Sequence, residues 1–262
     1  MQPFATIDAF TDQPFHGNPA AVCVLETPRN AAWCQRVACE MNLSETAYVT
    51  RRDDGFGLRW FTPAQEVPLC GHATLAAAHL AWEDGLADRG DAIAFHTSSG
   101  VLTAALEDDW IRLDFPALPA DDRQPPAGVA EALGTAPVRV AAGAAFVLAE
   151  LASEDAVRAV TPRLDHVAAL GGSGLVVTAR SASADADFVS RFFGPQVGIP
   201  EDPATGSAHC MLAPWWARAL GRTALTGRQI SARGAVIRVR LRGDRVDLLG
   251  QAVTVVRGTI LA

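Results

Sequence analysis

The sequence has no uninterrupted apolar run long enough to span a membrane. Its first residues also show no basic segment followed by an apolar core. These absences predict a protein with no membrane partner. We therefore expect a cytoplasmic location.

Cysteine is scarce and irregularly spaced. No two cysteines show C-x-x-C spacing, and their number is odd: Cys23, Cys34, Cys39, Cys70 and Cys210. This pattern predicts neither a disulfide framework nor a zinc cluster. His72 and His79 are seven residues apart and can share a helix face, but the carboxylates and the other histidines show no metal-ligand spacing. We expect no metal site.

Positive charge is also in short supply. Lys and Arg number 22 against 29 Asp and Glu, so the net charge is −7, and no basic cluster alternates with aromatic residues. This balance argues against a surface that follows nucleic-acid phosphates. The 262 residues are 49% apolar and 19% charged, as in a soluble globular protein of one large or two small domains. A small metabolite is the expected partner.

The residues that are present alternate between strand-like and helical patterns. Asn30 is a predicted cap for a helix that runs through Met41. Residues 74–82 are apolar on every side and predict a buried helix. The apolar run 138–148 predicts a strand, and 211–220 predicts a second hydrophobic helix.

The stretch 198–210 leads into that second helix. Two prolines and an acidic pair keep it extended before small residues begin the helix. The first amide groups of a helix have no intrahelical partner, and the helix dipole is positive there. Residues 205–208 are therefore predicted either to bind an anion such as a substrate carboxylate or to form an ordinary helix start.

The two halves of the chain share motifs in the same order, which indicates an internal repeat. The matched pairs are 59–63 with 191–195, Gly71-His72-Ala73 with Gly206-Ser207-Ala208, and 97–102 with 231–236. We predict two domains built on one plan, each with strands wrapped about a hydrophobic helix. The proline-rich segment 116–126 is the predicted linker. The domains are predicted as 1–116, completed by a strand at about 250–262, and 117–249.

Glu45 has no counterpart in this repeat. It lies at the entrance to a predicted strand, and the matching position in the second half is Ser173-Gly174. A surface glutamate is the ordinary interpretation. A duplicated scaffold with one unmatched carboxylate suggests instead that Glu45 supplies the chemistry.

Several motifs together resemble the PhzF-like (phenazine biosynthesis) family. They span nearly the whole chain: Ile7 to Thr11, Gly17 to Ala21, Asn42 to Ala47, Arg59 to Pro63, Cys70 to Thr74 and Glu201 to His209. The resemblance implies an α+β fold of the diaminopimelate epimerase type. Its two pseudo-symmetric domains are each a mixed β-sheet rolled around a central helix, with the active site between them. It implies no cofactor and no metal.

The resemblance also implies an activity and a set of site residues. Glu45 matches the general acid/base of a cofactor-independent isomerase that moves a hydrogen between carbons, as in the isomerisation of trans-2,3-dihydro-3-hydroxyanthranilate. The substrate is expected to be a small carboxylic or amino acid in a biosynthetic process, and a homodimer is expected. The implied substrate-binding residues are Asn18, Gly71, His72, Asp202, Thr205, Gly206 and Ser207.

Two alternatives remain open. Members of the wider fold racemise or epimerise amino acids with one thiol from each half, and Cys70 directly precedes Gly71. The second thiol would have to be Cys210, which is about one helical turn inside its helix, where it should point elsewhere. A binding protein that keeps the fold without turnover is the other alternative.

Overall fold

The computed structural model describes residues 1–122, 124 and 126–262. Two positions of the predicted linker, Arg123 and Pro125, lie outside the described residues. The chain divides into two compact units. The first unit comprises Met1–Asp114 with Leu249–Ala262, and the second comprises Phe115–Leu248.

The first ten elements, in chain order, are β1 (Gln2–Ala9), β2 (Asn18–Leu25), α1 (Ala31–Met41), β3 (Glu45–Arg52), β4 (Gly55–Phe61), β5 (Glu66–Val67), α2 (Gly71–Glu83), β6 (Ile93–Thr97), β7 (Gly100–Glu107) and β8 (Trp110–Pro116). They are followed by α3 (Val129–Leu133), β9 (Arg139–Ala142), β10 (Phe146–Glu150), α4 (Glu154–Ala159), α5 (Leu164–Ala169), β11 (Gly174–Arg180) and β12 (Phe188–Gly194). A 3₁₀ turn (Pro195–Val197) leads to β13 (Ile199–Asp202), α6 (Gly206–Leu220), β14 (Ala224–Gln229), β15 (Ala235–Arg242), β16 (Arg245–Gly250) and β17 (Ala252–Ile260).

The strands of the two units repeat one pairing scheme. In the first unit the strand order is β17–β1–β2–β3–β4–β6–β7–β8, with β2–β3 and β4–β6 parallel and the other neighbours antiparallel. In the second unit the order is β9–β10–β11–β12–β14–β15, with β10–β11 and β12–β14 parallel. The short strands β5 and β13 lie beside β4 and β12. The predicted internal repeat is therefore confirmed in the topology.

Each unit has one hydrophobic helix in its core. Ten of the 13 residues of α2 are buried, and α2 contacts β1, β2, β3 and β17. Ten of the 15 residues of α6 are buried, and α6 contacts β14 and β15. The observed burial of α2 confirms the buried helix predicted at 74–82. A helix that is apolar on every side is stable only when other elements cover it.

The helix α6 begins at Gly206, within the helix start predicted at residues 205–208, and contains Pro214. Proline has no backbone N–H to donate to the carbonyl of Cys210. The N–H of Leu118 donates to that carbonyl at 3.0 Å instead. A bond from outside the helix thus satisfies the acceptor that Pro214 leaves open.

The predicted strand at 138–148 is two antiparallel strands, β9 and β10. The chain turns between them, where the Gly143 N–H donates to the Phe146 carbonyl at 2.9 Å. A Cβ on Gly143 would lie 2.7 Å from Met211 Cε. The prediction of one strand was wrong because the turn is built from small apolar residues that do not interrupt the hydrophobic pattern.

The helix predicted from Asn30 to Met41 is confirmed. The Asn30 side chain accepts from the Trp33 N–H at 2.9 Å, which is the expected cap. Asn42 ends the helix in the left-handed conformation with φ 50°, where its N–H donates to the Ala38 carbonyl. No helix among the described residues is long and apolar enough to cross a membrane.

The repeated Arg-aromatic-Phe motif forms the same type of two-fold ion pair in each unit. Arg59 forms a two-fold ion pair with Glu66, with both distances 2.7 Å, and its guanidinium lies 5.0 Å from the centre of the Phe61 ring. Arg191 pairs with Glu201 at 2.8 and 2.9 Å. Each arginine thus ties the strand β4 or β12 to the short segment beside it.

Candidate active site

Three elements of the first unit begin close to one another. Asn18 is the first residue of β2, Glu45 is the first residue of β3, and Cys70 precedes the first turn of α2. Glu45 pairs with Ala20 in the parallel register of β2 and β3. The starts of two adjacent parallel strands and of the helix packed on them therefore bring Asn18, Glu45 and Cys70 together.

His72, in the first turn of α2, lies at the centre of this group. Its Nε2 is 3.3 Å from Oε2 of Glu45, without hydrogen-bond alignment. Its Nδ1 is 3.3 Å from Nδ2 of Asn18 and 3.5 Å from Sγ of Cys70. Asn18, Cys70 and His72 are buried, while 12% of the Glu45 side chain is exposed.

Burial keeps the His72 imidazole neutral. Desolvation lowers the pKa of His72 from 6.5 to about 3. A neutral imidazole has one donor and one acceptor nitrogen. With the Asn18 amide donating to Nδ1, the proton of His72 is on Nε2, on the side of Glu45. The arrangement directs an N–H toward the space beside the Glu45 carboxylate.

The helix α2 starts without a side-chain cap. Cys70 has extended φ and ψ values and makes no side-chain bond to the first-turn amides, as judged among the described residues. Thr74 instead donates its hydroxyl to the Cys70 carbonyl at 2.5 Å. The amides beginning at Gly71 are thus not covered by a cap and lie at the positive end of the helix dipole.

The strand register identifies the position in the second unit that is equivalent to Glu45. Thr46 pairs with Phe61, and Leu175 pairs with Phe193, so Glu45 matches Gly174 as predicted. A Cβ on Gly174 would lie 2.4 Å from Cζ of Phe192. The Phe192 ring fills this place, so the second unit has no room there for a carboxylate side chain.

Two of the predicted site residues of the second unit, Asp202 and Thr205, form a buried network before α6. The Thr205 hydroxyl donates to the Asp202 carboxylate at 2.5 Å. Gln229, on β14, accepts from the Thr205 N–H at 2.8 Å and donates to the Asp202 carbonyl at 2.7 Å. Asp202 and Thr205 are buried, and Ser207 is half-buried.

Sequence reasoning missed Gln229. It lies in a strand whose pattern gives no sign of a role, and the contact with residues 202–205 joins positions 24 to 27 residues apart. Its amide has the donor and the acceptor needed to hold both ends of the loop. The hydroxyl of Thr205 is used by Asp202, so Thr205 does not cap α6, and in the described residues no other side chain does.

The second thiol of the racemase alternative is badly placed for catalysis. Cys210 is inside α6 and is 2% exposed. Burial raises the pKa of the Cys210 thiol to about 12. A thiol in this environment stays protonated and cannot act as a base, so the structure argues against a pair of Cys70 and Cys210.

The sequence and the fold both match known proteins. A family model described as a phenazine biosynthesis-like protein matches residues 7–258. An uncharacterized isomerase of Halalkalibacterium halodurans is 46% identical over 260 residues, which cover 99% of this chain and 98% of that protein. The chain belongs to the phenazine biosynthesis-like family. The prediction of a PhzF-like isomerase is thereby confirmed at the level of the family.

Solved structures support the same assignment. A PhzF-family protein from Enterococcus faecalis has a TM-score of 0.93 and 37% identity, with 98% of each chain covered. A probable proline racemase from Agrobacterium radiobacter has a TM-score of 0.67 at 12% identity over 99% of this chain and 93% of that chain, which shows a shared fold alone. The predicted α+β fold of the diaminopimelate epimerase type is confirmed for this PhzF-like chain.

Proposed function

We propose that this PhzF-like isomerase moves a hydrogen between two carbons of a small carboxylic or amino acid, with Glu45 as the general acid and base. The observation that carries the proposal is the position of Glu45. It is a carboxylate at the start of a parallel strand, with 12% of its side chain exposed, beside a histidine that burial keeps neutral. The equivalent position of the repeat is a glycine.

The proposed chemistry needs no external electron acceptor. The Glu45 carboxylate takes a proton from a carbon next to a carbonyl or an unsaturated group, which leaves a delocalised anion. The protonated Glu45 then gives the proton to another carbon of the same molecule. The proton lost at one carbon is thus balanced by the proton gained at the other, and the bonding electrons move within the substrate.

His72 and Gly71 are proposed to stabilise the anion. The Nε2–H of a neutral imidazole can donate a hydrogen bond to the negative charge that develops on the substrate. A charged imidazolium would instead hold Glu45 in its ionised form and make it a weaker base. The amide groups from Gly71 onward add the positive end of the α2 dipole. Asn18 is proposed to act through His72 by holding its tautomer, in addition to the substrate contact implied by the resemblance.

The second-unit residues Asp202, Thr205, Gly206 and Ser207 stay predictions for substrate binding. The exposed part of Ser207 and the uncapped start of α6 are consistent with binding of a carboxylate. The substitution Ser207→Ala is expected to raise KM several-fold with a small change in kcat. An unchanged KM would remove Ser207 from the site.

The test is a screen of small carboxylic and amino acids in heavy water, followed by NMR. The full-length wild type should incorporate deuterium at carbon in at least one compound. Glu45→Gln keeps the side-chain shape and removes the base, so it should abolish that incorporation. Unchanged incorporation in Glu45→Gln would refute the proposal.

A further inference from the structure

We propose that Glu45, Cys70 and His72 form a binding site for one Zn²⁺ ion, and that zinc bound there inhibits the isomerase. The site combines a carboxylate, a thiol and an imidazole, which are the three ligand types that zinc takes in proteins. One donor atom from each residue lies within 4.8 Å of the others. The resemblance implies no resident metal, so the zinc proposed here is an inhibitor and not a cofactor.

The distance between Glu45 and His72 matches that between two ligands of a tetrahedral ion. Ligands at 2.0–2.3 Å from zinc lie roughly 3.3–3.8 Å apart. Oε2 of Glu45 and Nε2 of His72 already have a separation of 3.3 Å. Sγ of Cys70 lies 3.5 Å from the other ring nitrogen of His72, Nδ1, and one ligand atom of each of the three residues lies within 4.8 Å of the others. A change in the Cys70 side-chain torsion is therefore part of the proposal, since it must bring Sγ to the ion held by Nε2. A water molecule completes four ligands.

Burial favours the form of His72 that binds metal. Zinc binds a neutral imidazole, and desolvation already lowers the pKa of His72 well below its ordinary value. With zinc on Nε2, the His72 proton moves to Nδ1. Nδ1 faces the Asn18 amide at 3.3 Å, and a half-turn of that amide presents its oxygen as the acceptor.

Zinc binding must displace the proton of the Cys70 thiol. The products are then the zinc thiolate and one proton released to solvent, with no change in oxidation state. Binding should therefore release about one proton per ion and become tighter as the pH rises. Calorimetry in two buffers of different ionisation enthalpy measures the released proton.

Inhibition follows because zinc occupies the carboxylate of Glu45. A carboxylate that donates its electron pair to a metal is no longer available to take a proton from carbon. This second half of the proposal rests on the proposed function, whereas zinc binding does not.

The experiment titrates Zn²⁺ into the full-length, chelator-treated protein by calorimetry and adds Co²⁺ as a spectroscopic probe. We expect one Zn²⁺ per chain with Kd below about 10 µM, and a thiolate charge-transfer band with Co²⁺. Glu45→Gln and Cys70→Ala should each weaken zinc binding at least about tenfold, and Asn18→Ala about tenfold. Cys39→Ala removes an exposed cysteine and should change nothing.

The near-isosteric Glu45→Gln keeps the test valid if Cys70→Ala fails to fold. The zinc site would be overturned if no binding were detected at about 1 mM Zn²⁺. Equal zinc affinity in wild type and Glu45→Gln would also overturn it. Zinc binding by a protein whose deuterium exchange survives Glu45→Gln would leave the site intact and refute the proposed function. Deuterium exchange that Glu45→Gln abolishes, in a protein that binds no zinc, would support the proposed function and refute the zinc site.

Discussion

At the scale of single residues, the site depends on how His72 shares its two nitrogens. Nδ1 faces Asn18 and Cys70, and Nε2 faces Glu45. Because the imidazole is neutral, the partner at Nδ1 decides whether Nε2 carries a proton. Through the tautomer of His72, Asn18 therefore decides whether an N–H faces the Glu45 carboxylate. This effect does not require a contact between the Asn18 and Glu45 side chains.

The tautomer of His72 can be measured directly. We predict that ¹⁵N shifts of labelled histidine show His72 neutral, with the proton on Nε2, at pH 6. Asn18→Leu removes the donor to Nδ1 and should introduce the other tautomer. A charged imidazolium in the wild type, or the same spectrum in Asn18→Leu, would contradict this assignment.

The sequence predicted some residue-scale features and not others. The missing counterpart of Glu45 was predicted because a repeat aligns positions by order along the chain. The contact between Asn18 and His72 was not predicted, because it joins side chains 54 residues apart. The same is true of Gln229, since no periodicity or spacing encodes which strand residue reaches a distant loop.

At the scale of elements, the two arginine motifs have the same geometry but different burial. The Arg59 side chain is 38% exposed, whereas that of Arg191 is 13% exposed. Nη1 of Arg191 also donates to the carbonyls of Val157, Arg158 and Val160 at the end of α4, at 2.7–3.3 Å. Arg191 therefore caps the C-terminus of α4 in addition to forming the ion pair with Glu201.

Replacing each arginine with alanine should cause different losses of stability in the two motifs. Arg191→Ala leaves a partly buried carboxylate and the carbonyls of Arg158 and Val160 without this donor, and we expect a loss of about 3 kcal/mol in the free energy of unfolding. Arg59→Ala removes an exposed pair and should cost below about 1 kcal/mol. Urea unfolding measures both. Equal losses would show that burial does not distinguish the motifs.

A substitution at Gly174 tests why the second unit has no acidic residue at the position equivalent to Glu45. Gly174→Ala places a Cβ against the Phe192 ring and the Phe193 carbonyl, and we expect a cost of about 2 kcal/mol. The cost should be smaller in a Phe192→Leu background, because the ring contact is removed while the carbonyl contact remains. The same cost in both backgrounds would assign the requirement for glycine to the backbone alone.

Element prediction failed where composition concealed a turn. The turn between β9 and β10 consists of Gly143 and two alanines, which continue the apolar pattern of both strands. The hydrophobic helices and the Asn30 cap were predicted well, because their signals are local.

At the scale of the whole molecule, two buried histidines should make stability depend on pH. Burial lowers the pKa of His72 to about 3 and that of His209 to about 4, against 6.5 in an exposed chain. As the pH falls from 6.5 toward 4, the unfolded chain takes up protons that the folded chain does not. The free energy of unfolding should therefore fall in this window, by up to about 1.4 kcal/mol per pH unit for each histidine.

His209→Leu should remove about half of this dependence. The substitution keeps an apolar volume beside Phe188 and removes one of the two titrating groups. Urea unfolding between pH 7 and pH 4.5 measures the slope in wild type and variant. A slope that His209→Leu leaves unchanged would contradict a neutral, buried His209.

The shared plan of the two units was predictable because the motifs of the repeat recur in the same order along the sequence, whereas the strand pairings were not predicted. In the structure β17 pairs with β1, and Leu249–Ala262 belongs to the first unit. The expected homodimer stays a prediction. Light scattering should give twice the chain mass of 27.6 kDa.

The central claim is that one carboxylate, Glu45, carries the hydrogen. The most direct measurement compares deuterium incorporation at carbon by wild type, Glu45→Gln and Cys70→Ser on one substrate in heavy water. We predict that Glu45→Gln lowers the rate by at least about 10³-fold, while Cys70→Ser stays within about tenfold of wild type. A Glu45→Gln rate within about tenfold of wild type, or an equal loss in Cys70→Ser, would contradict the account.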